Sequence, residues 1–288
     1  MQGFDMTRRS AIGGFALLGA GLAPEGISFA RASAAVADLP DLETPEGNLR
    51  QIRRISASYN DEDVPWYYTG LIYGIVGERQ PMPFFRFEGM EVYRMTDLGD
   101  GSYEMTGNTV TFFRDAETGA MLSEFKNPIT GQTVPVSASV QGGGPGRGYT
   151  YSLAGIKPTM LKDQMPDDPP GFEWAAAGDV VWLHSSRVYP PGMTPPRDER
   201  QSTFVRRADL ANPDLPNLPA QFSSTFFAPW LNWLDMGDEP GHMVWHAAGT
   251  KIASFADLPS EYRTRLERDH ADRMTGKPEA GTGGKKVE

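Results

Sequence analysis

Cysteine is absent from the 288-residue chain. That excludes disulfides, Fe–S clusters, thiolate zinc sites and a cysteine nucleophile. Histidine is scarce, at four residues, so imidazole chemistry has few places to sit. Past the N-terminal leader, no apolar run approaches the roughly 18 residues that a membrane-spanning helix needs. Basic charge is in deficit: 27 Lys and Arg against 37 Asp and Glu leave a formal net charge of −10. This balance disfavours nucleic acids and anionic membrane surfaces as partners. The G-x-S-x-G elbow of Ser-His-Asp hydrolases and the P-loop of nucleotide binders are both missing. Turn formers, in contrast, abound, with 32 Gly and 24 Pro. Long helices, and with them bundles and coiled coils, are excluded. Aromatics (15 Phe, 10 Tyr, 6 Trp) supply enough bulk for a sizeable core.

The N-terminus reads as an export leader. Arg8 and Arg9 precede a short uncharged run from Ala11 to Ala23, and Ala32-Ser33-Ala34 offers a small-residue cleavage site, with Ala35-Val36-Ala37 as a second. A basic start, a short apolar stretch and such a site define a signal peptide rather than a span. The paired arginines make it a twin-arginine leader. The expected parts are a signal peptide over 1–34, a helix and linker over 35–59, one domain over 60–274 and a disordered tail over 275–288. The twin-arginine export machinery, engaging Arg8 and Arg9, is an expected partner, and the expected location is periplasmic or secreted.

Thr44-Pro45-Glu46 has the pattern of a helix start. Leu49, Ile52 and Ile55 continue at helical spacing, which predicts a helix over 45–57 with Arg50, Arg53 and Arg54 turned to solvent. From Trp66 the period becomes that of strands: 68–76, 83–87, 91–95, 103–105, 109–114, 121–125, 133–139, 149–153, 179–189, 202–206, 221–227 and 243–247. Glu88-Gly89, Asp100-Gly101 and Gly107-Asn108 read as turns between them. Asp115 to Gly119 and Asn127 to Gly131 each begin with Asp or Asn and end with Gly, as hairpin loops closing on a positive φ do. Residues 141–148 read as a flexible linker or lid. A helix opening at Leu258-Pro259-Ser260 closes the chain, with Tyr262 and Leu266 inward. The expected fold is mainly β: a single-domain antiparallel β-barrel or strongly bent sheet with short terminal helices. A two-domain split at the Gly-rich loop is the alternative.

Several runs are familiar as packing and turn signatures. These are Thr109 to Gly119 around Phe112-Phe113-Arg114-Asp115, Glu124 to Val136, Trp230-Leu231-Asn232-Trp233-Leu234, Lys251-Ile252 and Asp257-Leu258-Pro259. Together with the leader they resemble the bacterial family called domain of unknown function 1838. The resemblance implies export and a single domain over most of the mature chain. It carries no activity.

His184 is the best single acid or base, since imidazole titrates near neutrality. It lies on an alternating strand with Trp182 and Ser186. Arg94, sharing a face with Val92, and Arg187 are arginines within apolar strands, suited to holding a charged group on a ligand. Tyr93, Trp182, Trp230, Trp233 and His246 are candidate ligand contacts. No cofactor is expected. The weak alternative is a divalent metal at His184, His242 and His246. The late aromatics Phe222, Phe226, Phe227, Trp230, Trp233 and Trp245 suit either a ligand cavity or a plain core. Two functions compete. One is a cofactor-independent lyase, isomerase or hydrolase acting on an aromatic or apolar small molecule. The other is a non-catalytic periplasmic binding or carrier protein for an apolar ligand. The interrupted strands favour the enzyme.

Overall fold

The first helix forms where its capping residues place it. Thr44 accepts from the Gly47 amide at 3.1 Å, Pro45 fills the first helical position, and α1 runs Pro45–Ser56. Residues 39–142, 148–164, 167–188 and 198–277 are described in this computed structural model, apart from the side chains of residues 161, 164, 186–188 and 198. The expected leader, the centre of the Gly-rich loop and residues 278–288 lie outside the described residues.

Thirteen strands follow: β1 (Val64–Ile75), β2 (Met82–Asp97), β3 (Tyr103–Asp115), β4 (Glu124–Lys126), β5 (Thr133–Pro135), β6 (Ser139–Gly142), β7 (Tyr149–Ser152), β8 (Gly155–Pro158), β9 (Glu173–Ala177), β10 (Val180–Val188), β11 (Asp198–Arg206), β12 (Ala220–Ala228) and β13 (His242–Lys251). Short α2 (Arg207–Ala211) sits between β11 and β12, and α3 (Ser260–Asp269) follows β13. Eleven strands make one antiparallel sheet in the order β8-β7-β3-β2-β1-β13-β12-β11-β10-β9, with β6 also on β3; β4 and β5 pair separately. The fold is therefore mainly β, with a large antiparallel sheet. It is open rather than a closed barrel among the described residues. The strands at the two ends of the order, β8 and β9, are only four and five residues long and do not pair with each other.

Three expected boundaries move. Glu88-Gly89 is no turn, and β2 runs straight through it. Gly89 faces Tyr68 across the β1–β2 ladder, and a Cβ there would collide with the Tyr68 ring, so this glycine makes room rather than a bend. Gly107-Asn108 likewise lies inside β3. Arg53 and Arg54, expected at solvent, are buried. Arg54 donates to the carbonyls of Leu215 and Leu210 and to Gln51 Oε1, tying α1 to the segment after β11. The expected disorder also begins too early: Thr275 and Gly276 are hydrogen-bonded to Asp63, Asn108 and Thr106.

Strand alternation divides the side chains between two faces. One carries Met90, Val92, Val110 and Phe112, covered by Leu258, Tyr262 and Leu266 from α3 and the turn before it. The other collects Tyr68, Ile72, Phe85, Phe87, Phe113, Met243 and Ala247 into a second cluster. The β4–β5 hairpin and the turn around Asn232–Leu234 pack against it, with Phe125, Trp230 and Trp233 partly buried there.

Candidate functional site

The second face is an aromatic surface built from five central strands and one turn. Phe87 on β2 meets Trp245 on β13 with ring centres 5.0 Å apart. Phe113 on β3 meets Trp233 at 5.3 Å and Trp245 at 6.0 Å, both edge-on. Phe85 lies 5.5 Å from Trp233. Small residues allow these rings to lie flat on the backbone: a Cβ on Gly70 would strike the Phe87 ring. Asn127, wholly buried, donates to the Leu234 carbonyl at 2.9 Å and so fixes the turn that carries Trp233. Trp233, Trp245, Phe222 and Phe226 are only partly buried. The indole Nε1 atoms of Trp233 and Trp245 are buried and have no hydrogen-bond partner among the described residues. Trp230 differs, since it stacks on Phe84 at 5.9 Å and donates to the Glu239 carbonyl at 3.1 Å.

Toward the α1 end of the same face sits Lys251. Its Nζ donates to the carbonyls of Arg54 and Ala57 and to Asn217 Oδ1 at 2.7–3.2 Å, and lies 5.4 Å over the Trp66 ring. Burial pulls this amine down to about 7, with distant Glu62 pulling the other way. Sequence reasoning gave Lys251 no role, because only the fold brings the helix C-terminus to it.

The predicted catalytic side chains do not gather. His184 is exposed on the opposite face. Its Nε2 accepts from Trp182 Nε1 at 2.9 Å, and its Nδ1 faces Ser202 Oγ at 2.8 Å. Because the indole can only donate, Nε2 is the acceptor nitrogen and the proton sits on Nδ1, pointed at Ser202. Neither nitrogen is left to take a proton from a substrate. Arg94 on β2 stands five positions from β10 in the strand order, roughly 24 Å away at the usual strand spacing. It binds Asp63 at 2.9 Å and Asp61 at 2.8 Å. Burial would raise the Asp63 carboxyl, but hydrogen bonds from Arg94, Gly276 and Thr275 hold it below the ordinary range. Arg187 pairs in register with Glu199, and its side chain lies outside the described residues.

Among the candidate ligand contacts, Trp230 and Trp233 lie with the aromatic cluster. Tyr93 has register partners on that face but donates to Glu91 at 2.5 Å. Trp182 and His246 alternate onto the other face, where His246 Nδ1 is 3.3 Å from Thr225 Oγ1. His242 and His246 are four residues apart on β13, about 13 Å along a strand, and His184 is three strands further on. These three histidines therefore form no cluster, and among the described residues no group of three or more His, Asp or Glu could hold a metal ion.

Glu88, read from sequence as part of a turn, is a buried carboxylate. It accepts from Tyr67 at 2.9 Å and pairs with Arg114, which also reaches Glu261 on α3. This network docks α3. A shallow cleft of 460 Å³ lies on the α3 surface, lined by Met121, Thr264, Arg265 and Arg268 among others. No helix of the described residues is long and apolar enough to cross a membrane.

A family model described as "Protein of unknown function (DUF1838)" matches residues 61–141 and 198–279, covering the two long meanders that flank the β1–β13 pair. No curated protein matches the chain. Among solved structures, a DUF1329 family protein from Desulfovibrio piger ATCC 29098 is similar at 10% identity and a TM-score of 0.21, over 80% of this chain and 99% of that one. A likeness at that level carries no argument.

Proposed function

The chain belongs to the DUF1838 family of proteins of unknown function, and from that premise we propose that it is a non-catalytic binding or carrier module for an apolar small molecule, held on the aromatic face of the sheet. One observation carries this reading: the partly buried cluster around Phe113 contains two buried indole N–H groups with no partner among the described residues. A plain core satisfies its polar atoms, and each exception calls for a physical account. An apolar wall with a few unpaired donors is also what small-molecule sites commonly present. Trp233, Trp245 and Phe226 are the contacts proposed, with Trp230 as a stacked support.

The catalytic alternative draws less support, because His184 and Arg94 are already engaged and far apart. Export is part of the proposal: Arg8 and Arg9 ahead of an uncharged run support a twin-arginine route to the periplasm, where the ligand would be met.

Native mass spectrometry of the protein purified from its host's exported fraction tests the reading. The expected spectrum contains one or more small-molecule adducts that are lost in a Trp233→Ala, Phe226→Ala variant. A spectrum of bare protein, together with intrinsic tryptophan fluorescence that no apolar probe perturbs, would overturn it.

A further inference from the structure

We propose that the face of the sheet opposite the aromatic one, where β1, β13 and β12 run side by side, is the contact surface of a symmetric dimer, covered by a second copy of this chain. It lies on the other side of the sheet from the proposed ligand, so either reading can fail alone.

α3 and the turn before it cover this face over β2 and β3, through Met90, Val92, Val110 and Phe112. On β1 from Thr69 onward, on β13 and on β12, no outward-facing residue is buried. None of those positions carries Lys, Arg, Asp or Glu, although charged residues make up 22% of the chain. An antiparallel sheet that faces water normally shows polar and charged side chains there. Loss of charge with gain of aromatics is instead the mark of an interface core. Each copy has a formal net charge of −10, so two copies repel over most of their surface. This face lets them meet without burying a charge.

The occupant follows from the rows that register draws across the three strands. Tyr73, Val244 and Phe227 make a bulky row, with Phe227 36% exposed. Thr69, Ala248 and Ser223 make a small one. Leu71, His246 and Thr225 lie midway between them. A twofold axis laid in the plane of contact along that middle row turns one copy over and exchanges the outer two rows. The bulky row of each copy then rests on the small row of the other, as an isologous contact requires. Three strands at about 4.8 Å and about five outward rows at roughly 6.7 Å give a footprint of roughly 500 Å² on each copy, or about 1,000 Å² in all. That is the low end for a specific interface and fits a weak, concentration-dependent dimer.

Sedimentation velocity of the full chain from about 1 to about 100 μM reads the association. The native protein is expected to shift from monomer toward dimer across that range. Val244→Lys and Ala248→Glu each place a charge in the contact and should raise the dimer dissociation constant about tenfold or more. The axis sets position 244 of one copy on position 248 of the other. An equimolar mixture of the two variants should therefore dimerise again, lysine against glutamate, which mere destabilisation of the fold would not produce. Should Val244→Lys fail to fold, Phe227→Lys with Ser223→Glu makes the same pairing on β12. A native protein that stays monomeric at the highest concentration, variants that dimerise as well as it does, or a mixture no better than its parts would overturn the proposal. So would a monomer that pellets with phosphatidylcholine vesicles, which would assign the face to a lipid surface.

Discussion

At Lys251 two forces oppose each other. Three oxygen acceptors favour the ammonium, while burial against Trp66 favours the neutral amine, and burial prevails, drawing the group to about 7. The unfolded value is about 10.4. Between those values the unfolded chain holds the extra proton, so stability rises as pH rises. Urea midpoints are expected to increase from about pH 7 to about pH 9 in the native protein, and Lys251→Met should flatten that slope. An unchanged slope would mean that the amine stays charged. Asp63 works in the opposite sense. Against the opposing effect of burial, its carboxyl is held low by Arg94, the Gly276 amide and the Thr275 hydroxyl, so its contribution is present above its ordinary value near 3.9 and is lost as pH falls through the folded value. Asp63→Asn should therefore weaken the native state near neutrality and reduce its further loss in acid. Limited proteolysis should also cut the released C-terminal segment sooner. A protease pattern identical to the native one would refute the role of Asp63 as its anchor.

Among the elements, α3 is fastened by a buried hydroxyl as well as by the Glu261–Arg114 pair. Tyr262 accepts from the Met90 amide at 2.8 Å and donates to the Val110 carbonyl at 2.7 Å, two groups that face each other across β2–β3. Tyr262→Phe would leave both unpaired and should cost about 2 kcal/mol in chemical denaturation. A loss below a few tenths would show that the ladder closes on itself instead. The helix was readable in the sequence, because Tyr262 and Leu266 carry its stripe and both are fully buried. The two hairpin loops were readable for a similar local reason. Asp115 accepts from the Glu117 and Thr118 amides and Asn127 from those of Ile129 and Thr130, and Gly119 and Gly131 have φ of 72° and 74°. What stayed hidden was non-local. Gly89 looked like a turn because its real partner, the Tyr68 ring, sits on another strand. Arg54 looked solvated because its acceptors lie more than 150 positions away. The aromatic site was half visible: Trp230 and Trp233 stood out in sequence, but only the register of β13 against β1 and β12 sets Trp245 beside Phe87. His184 and Arg94 shared the right residue types and an interrupted apolar pattern, and nothing in that pattern could reveal the four strands that lie between them.

At the scale of the molecule, β1 and β13 join two meanders at the centre of the sheet, with Trp66 opposite Lys251 and Ile75 opposite His242. Each meander pairs mostly with its own neighbours, so among the described strands the β1–β13 ladder is the pairing that joins the two, while α3 and residues 275–276 add contacts from the C-terminal part onto β2 and β3. Splitting the chain between β8 and β9 should give two pieces that are unfolded alone and recover native circular dichroism when mixed. Cooperative unfolding of either piece by itself would show that the halves are independent. This central pairing also sets a timetable for synthesis. On the ribosome, β1 emerges early and pairs with β2, but its other flank stays a bare row of amides and carbonyls until residues 242–251 have been made. A translation product that stops short of His242 would keep that flank open as a template for a second chain, and such truncations should collect as oligomers rather than monomers.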